Sequence, residues 1–218
     1  MAYRGIEVPV SAEMMPLPVL VALSNDDYEV PELEAGTALL RPGDRMLELG
    51  TGLGIVSGIL AKRFPDCQFK TYEANPDLLP HIRTLHETNA IANVDVHNAM
   101  LEPEPGEETR AFYMHPYFTE GSIIKTDRSL GAADVPVLDL NTVIGEFDPT
   151  VVMCDIEGAE EIVIPKADLS RVRALILELH PKLLSRASIK AIFDACSAHG
   201  LYLRVENSSK DVVAFERV

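Results

Sequence analysis

The stretch Leu47-Glu48-Leu49-Gly50-Thr51-Gly52-Leu53-Gly54 constrains this chain more than any other. The apolar run Met46–Leu49 reads as a buried strand. Ile55–Phe64 has apolar residues at 55, 56, 59, 60 and 64, the spacing of one helix face. Glycines between a strand and a helix let the backbone turn tightly and approach a ligand. The dinucleotide pattern G-x-G-x-x-G fits badly, because counting from Gly50 puts Ile55 at the third glycine and counting from Gly52 puts Ser57 there. What stands here is an acid, one residue, then G-x-G-x-G. A carboxylate beside the loop would repel a pyrophosphate and attract an ammonium group. S-adenosylmethionine carries an ammonium group and no phosphate, so it is the expected cofactor, and a nicotinamide dinucleotide is the alternative.

Two further polar positions agree with that reading. Gln68–Glu73 and Val94–Asn98 read as the next two strands, with Asn75-Pro76 opening a helix that runs to about Asn89. Glu73 stands at the end of the second strand, where a carboxylate can take both hydroxyls of a ribose. Asn98 ends the third, where an amide can meet an adenine edge. The expected cofactor-binding set is therefore Glu48, Gly50, Thr51, Gly52, Gly54, Glu73, Ala74, Asn75, Asn98, Ala99 and Asp155.

Val151–Asp155 and Ala174–Leu179 are two more continuous apolar strands, and Ser188–Gly200 is an amphipathic helix with Ile189, Ile192, Phe193 and Cys196 on one face. Leu201–Glu206 and Asp211–Val218 close the chain as two strands joined by a short turn. Strands buried on both faces, each followed by a helix, make a parallel α/β sheet, and the closing pair makes one edge antiparallel. Residues 102–136 break the alternation, as a hairpin or an irregular insertion. One domain over 1–218 is expected, with 1–40 as an extension.

Charge and composition narrow the partners. Lys+Arg is 19 and Asp+Glu is 34, a net charge of −15, which disfavours nucleic acid and an anionic membrane surface. The three cysteines, Cys67, Cys154 and Cys196, form neither a disulfide framework nor a zinc pair. No signal peptide or membrane span is read, so a cytoplasmic protein is the expectation. Oligomeric state is not specified, a homodimer being compatible.

The segments ELGTGLG, YEANP, CDIEGAE and LILELHP resemble those of the FkbM-type S-adenosylmethionine-dependent methyltransferases, over roughly Tyr28 to Pro181. Asp155-Ile-Glu157-Gly158-Ala-Glu160 with Glu178-Leu-His180 is the more diagnostic part. That family more often has Asp where this chain has Glu48. The resemblance implies a Rossmann-like class I methyltransferase fold: a seven-stranded, mostly parallel sheet with an antiparallel last strand and helices on both faces. It also implies methyl transfer, usually to oxygen, and a leading segment that packs across the cofactor mouth, where Glu32 could line the site.

The expected acceptor is a small-molecule hydroxyl, of a sugar or a secondary metabolite. Such an acceptor needs orientation and a base. His180, Asp155 and Glu157 are the catalytic candidates, at the ends of the fourth and fifth strands, where ligands bind in open α/β sheets. Asp155, Glu157 and Glu178 are also compatible with a divalent metal, but their spacing is no specific metal signature, and none is expected. Glu157 and Glu160 flank a helix start, where acids suit the dipole. His115, with Tyr113, Tyr117 and Phe118, reads as an acceptor lid or a satellite core. A catalytically inactive, methyltransferase-like binding module is the remaining alternative.

Overall fold

The computed structural model describes residues 1–10, 15–115, 121, 127 and 129–218. A hairpin, β1 (Ala2–Tyr3) and β2 (Ile6–Glu7), is followed by α1 (Leu17–Ser24) and α2 (Val30–Leu39). Then come β3 (Arg45–Leu49), α3 (Ile55–Arg63), β4 (Gln68–Glu73), α4 (Leu79–Thr88) and β5 (Val94–Asn98). Three strands follow, β6 (Met100–Glu102), β7 (Thr109–Met114) and β8 (Gly131–Asp139). The chain closes with α5 (Leu140–Phe147), β9 (Val151–Cys154), α6 (Glu160–Val163), β10 (Ala174–Glu178), α7 (Arg186–Ala198), β11 (Leu201–Leu203) and β12 (Val212–Arg217).

The main sheet has seven strands in the order β11-β12-β10-β9-β3-β4-β5. Strands β10, β9, β3, β4 and β5 run parallel, and β12 is antiparallel to both neighbours. Successive strand residues alternate between two cores, which explains why the strands read as unbroken apolar runs. Met46, Val151, Met153 and Ile176 pack on the face covered by α1–α4. Leu47, Val152, Cys154, Leu175 and Leu177 pack on the opposite face, against Leu140, Ile144, Ile192 and Cys196 of α5 and α7. At about 25 cal/mol per Å², a buried leucine such as Leu47 or Leu175 contributes on the order of 2 kcal/mol.

Caps fix the helix starts. Asn75 Oδ1 accepts from Asp77 N at 3.1 Å and opens a 3-10 turn before α4. Ser185 caps α7 by accepting from Ser188 N at 3.0 Å, so that helix starts earlier than its apolar pattern suggests. The strand expected to reach Leu179 ends at Glu178, which puts His180 two residues beyond it.

An irregular insertion is not what the described residues of 102–136 form. Strand β7 pairs antiparallel with Gly131–Pro136 of β8, and Val137–Asp139 pair parallel with β6. Pro136, which has no N–H to give, sits where β8 changes partners. Tyr117 and Phe118 lie outside the described residues. The start of the leading segment packs into the first core. Asn89 holds Glu7 from both sides, taking its N–H and donating to its carbonyl, each at 2.7 Å, and Tyr3, Ile6 and Val8 enter the first core. Among the described residues, no helix is long and apolar enough to cross a membrane.

Candidate active site

The turn after β3 is clamped between the ends of β4 and β9. Gly50 N and Thr51 N donate to Tyr72 O at 3.0 and 3.2 Å, and Asp155 N donates to Leu49 O at 2.9 Å. At Gly50, φ is +85° and a Cβ would stand 1.7 Å from the carbonyl oxygen of Asp155, so only glycine fits. Gly52 also has a positive φ, +55°, but a Cβ there would meet nothing within 4 Å.

Two carboxylates back this turn. Glu73 accepts from Gly52 N at 2.8 Å and from Asn75 N at 2.6 Å, so it ties the glycine loop to the turn after β4. Burial pushes its carboxyl up to about 7 against the lowering effect of these amides. Glu48 is only 2% exposed, and its Oε2 has no hydrogen-bond partner. Burial pushes it up to about 8; the hydroxyls of Ser57 and Thr51 beside it oppose that shift without closing a hydrogen bond.

Both carboxylates face a cavity of about 710 Å³ at the carboxyl ends of the parallel strands. Its wall carries nine carboxylates: Glu29, Glu32, Glu48, Glu73, Glu102, Asp155, Glu157, Glu161 and Glu178. No lysine or arginine lines it among the described residues. Glu29 is pushed up to about 8 and Glu32 to about 7, in each case chiefly by burial. Glu29 and Glu157 are non-glycine residues with left-handed backbones, at φ 46° and 53°. The same conformation, costing about 1–3 kcal/mol each, recurs away from the cavity at Arg4, Asp26, Ala90, Glu104, Asp148 and Lys210.

The far wall holds a histidine among acids. His180 Nδ1 is 2.8 Å from Glu160 Oε1, while Nε2 is 3.3 Å from Glu157 Oε2 and 3.6 Å from Asp155 Oδ1. Burial lowers the His180 pKa, but the Glu160 hydrogen bond and the charges of Glu160, Glu157 and Glu178 outweigh it, and the net direction is up. Asp155 is raised well above the carboxylate range by burial and then by the charges of Glu178, Glu29 and Glu157.

Of the residues expected at the cofactor, Glu48, Gly50, Thr51, Gly52, Glu73, Ala74, Ala99 and Asp155 line the cavity. Gly54, Asn75 and Asn98 do not. The Asn98 amide instead donates to the carbonyls of Glu73 and Ala74, at 2.8 and 3.1 Å. Asp155 and Glu157 line the wall, with His180 behind them. Glu160 was read only as a helix-start acid; it is fully buried and binds His180. Glu102, Glu161 and Phe112 also line the cavity, and nothing in their sequence context marked them. Asp155, Glu178 and His180 each present a donor atom, all within 4.8 Å of one another, a set suited to a metal ion.

No protein-family model matches the chain, and no curated protein does. Solved structures match it in fold. It is 13% identical to a precorrin-6y C5,15-methyltransferase from Geobacter metallireducens, with a TM-score of 0.56 over 97% of this chain and 95% of that one. It is 10% identical to a ribosomal protein L11 methylase from Lactobacillus delbrueckii subsp. bulgaricus, with a TM-score of 0.50 over 86% and 77%. At these identities the likeness is one of architecture: the chain has the Rossmann-like α/β fold that these methyltransferases share.

Proposed function

We propose that the chain is an S-adenosylmethionine-dependent methyltransferase of the FkbM type, acting on a small-molecule hydroxyl. One observation carries the reading: a glycine loop backed by Glu48 and Glu73 opens into a cavity rich in carboxylates and lined by no described lysine or arginine. A cofactor with a sulfonium and an ammonium suits that field, whereas the pyrophosphate of a nicotinamide dinucleotide would face like charge.

Glu48 would hold the ammonium, Glu73 the ribose hydroxyls, and Ala74 and Ala99 would flank the base. Asn75 and Asn98 would act one layer back, fixing the turns that carry these groups. When bound, the cofactor supplies an electrophilic methyl group. Asp155 and Glu157, on the wall, would orient the acceptor hydroxyl and take its proton. His180, braced by Glu160, is a positioning residue for both carboxylates. The sheet β6-β8-β7, which presents Leu101, Phe112 and His115 to the cavity, would shape the acceptor side.

Calorimetric titration with S-adenosylmethionine, its demethylated product and NADH tests the cofactor. Saturable binding of the first two and none of NADH is expected, and the reverse order would refute the reading. Once an acceptor is found, Asp155→Asn should cost about 10²–10⁴ in turnover with cofactor affinity kept.

A further inference from the structure

The carboxyl ends of β9 and β10 carry a donor set that a proton-handling role does not use up. The donor atoms of Asp155, Glu178 and His180 lie within 4.8 Å of one another. Ligands about 2.1 Å from an octahedral ion stand about 3 Å apart when adjacent and about 4.2 Å when opposite. His180 Nε2 and Asp155 Oδ1 already stand 3.6 Å apart, between those two spacings, so side-chain rotation that draws the donors together would bring them onto one ion.

The orientation of His180 supports this use. Glu160 is fully buried beside Nδ1, so the ring gives its Nδ1–H to Glu160 and turns Nε2 toward Asp155 and Glu157. A carboxylate on one ring nitrogen is the usual way a metal-binding histidine is aimed. A protonated ring would supply one positive charge against Asp155, Glu157, Glu160 and Glu178.

A second observation is independent of the triad. Glu32, reaching the same cavity from α2, is only 7% exposed, and its Oε2 has no hydrogen-bond partner. A buried carboxylate oxygen turned into a cavity without lysine or arginine in its described wall is suited to a cation that enters that cavity.

We propose that Asp155, Glu178 and His180 bind one divalent cation of the manganese class, which accepts mixed carboxylate and imidazole donors. Its role, though not its binding, rests on the function proposed above: the ion draws the acceptor oxygen to this wall and eases passage of the hydroxyl proton to Glu157.

The test uses chelator-stripped full-length protein titrated with Mn²⁺ alone, read by loss of the free-ion paramagnetic signal and by the melting temperature. One ion per chain is expected. Asp155→Asn and Glu178→Gln should each weaken it by about tenfold or more, and Glu104→Gln, an exposed acid elsewhere, should not. His180→Ala also strips Glu160 of its partner, so the two near-isosteric variants decide. Absence of saturable binding to folded protein, or binding that survives both variants, overturns the inference. So does stabilisation by putrescine where Mn²⁺ gives none, since the acids would then serve an organic ammonium. A parallel titration with S-adenosylmethionine separates the readings. Cofactor binding without Mn²⁺ binding overturns the ion site alone, and Mn²⁺ binding without cofactor binding overturns the methyltransferase reading and leaves the ion site standing.

Discussion

Alanine at Gly50 and alanine at Gly52 should have sharply different consequences, although both positions have positive φ and stand two residues apart. At either site an alanine in the left-handed region costs about 1–2 kcal/mol. Gly52 incurs nothing more, because its Cβ would enter open space. At Gly50 the new Cβ would stand 1.7 Å from Asp155 O and 2.8 Å from Asp155 C, and backbone atoms cannot rotate aside. The end of β9 must move off β3, at about 1–3 kcal/mol of packing strain. The bond from Asp155 N to Leu49 O would be lost with it, worth about 1 kcal/mol. The total at Gly50 is about 3–6 kcal/mol, against about 1–2 at Gly52. Urea unfolding followed by circular dichroism measures both, provided the m-values agree. Gly50→Ala should lose at least about 2 kcal/mol more than Gly52→Ala. Gly52→Ala should stay folded but bind S-adenosylmethionine more weakly, since its methyl group enters the cavity. Equal stability losses would refute the claim that the Asp155 carbonyl is what excludes a side chain at Gly50.

Stability should fall as pH rises. Glu29 and Glu48 titrate near 8 in the fold and Glu32 and Glu73 near 7, all above their ordinary value, so the folded state holds more protons than the unfolded chain between about pH 4.5 and 8. Glu48→Gln removes one such group and should raise stability at pH 8 by about 1–3 kcal/mol with little change at pH 4, and a pH-independent difference in urea titrations would contradict it. Arg173 donates to Asp44 at 2.6 Å, to Leu39 O at 2.9 Å and to Glu216 at 3.1 Å, so Arg173→Met should cost about 3–5 kcal/mol in the same assay. Asn98→Ala should cost about 1–2 kcal/mol of stability for its two carbonyl bonds and lower adenosine affinity less than tenfold; complete loss of adenosine binding would mean the amide reads the base directly.

What was legible in the sequence follows from period and burial. The central parallel strands declared themselves because both faces are buried, and Gln68–Glu73 and the half-exposed edge strand Val94–Asn98 begin and end where the sequence places them. The glycine loop was legible because its backbone demands are local. Strand β8 was not, because Ala, Asp and Pro136 mask its alternation, and it splits its pairing between two earlier strands, parallel to one and antiparallel to the other. The Asn98 amide was assigned to a ligand because a strand-end amide has the same chemistry whether it meets an adenine or a neighbouring carbonyl. Glu160 was illegible for the opposite reason. Its position at a helix start gave it a sufficient local explanation, while its partner His180 stands 20 residues away on another strand's exit.

The distribution of arginines bears on why the cavity is acidic. Away from it, buried or half-buried acids are answered by cations: Asp44 by Arg173, Glu216 by Arg41 and Arg173, Asp148 by Arg45 and Arg171. These pairs stitch the amino ends of the parallel strands, where Arg45 and Arg173 flank β3 and β10. At the carboxyl ends the same sheet presents Glu48, Glu73, Asp155 and Glu178 with no described lysine or arginine on the cavity wall. The fold thus answers carboxylates with arginines at one end of the sheet, and at the other with backbone amides, His180 and burial. Two of these acids, Glu29 and Glu157, also sit on left-handed backbone. Buried carboxylates gathered in one place oppose folding, and a cationic ligand that enters there recovers part of that cost as binding energy.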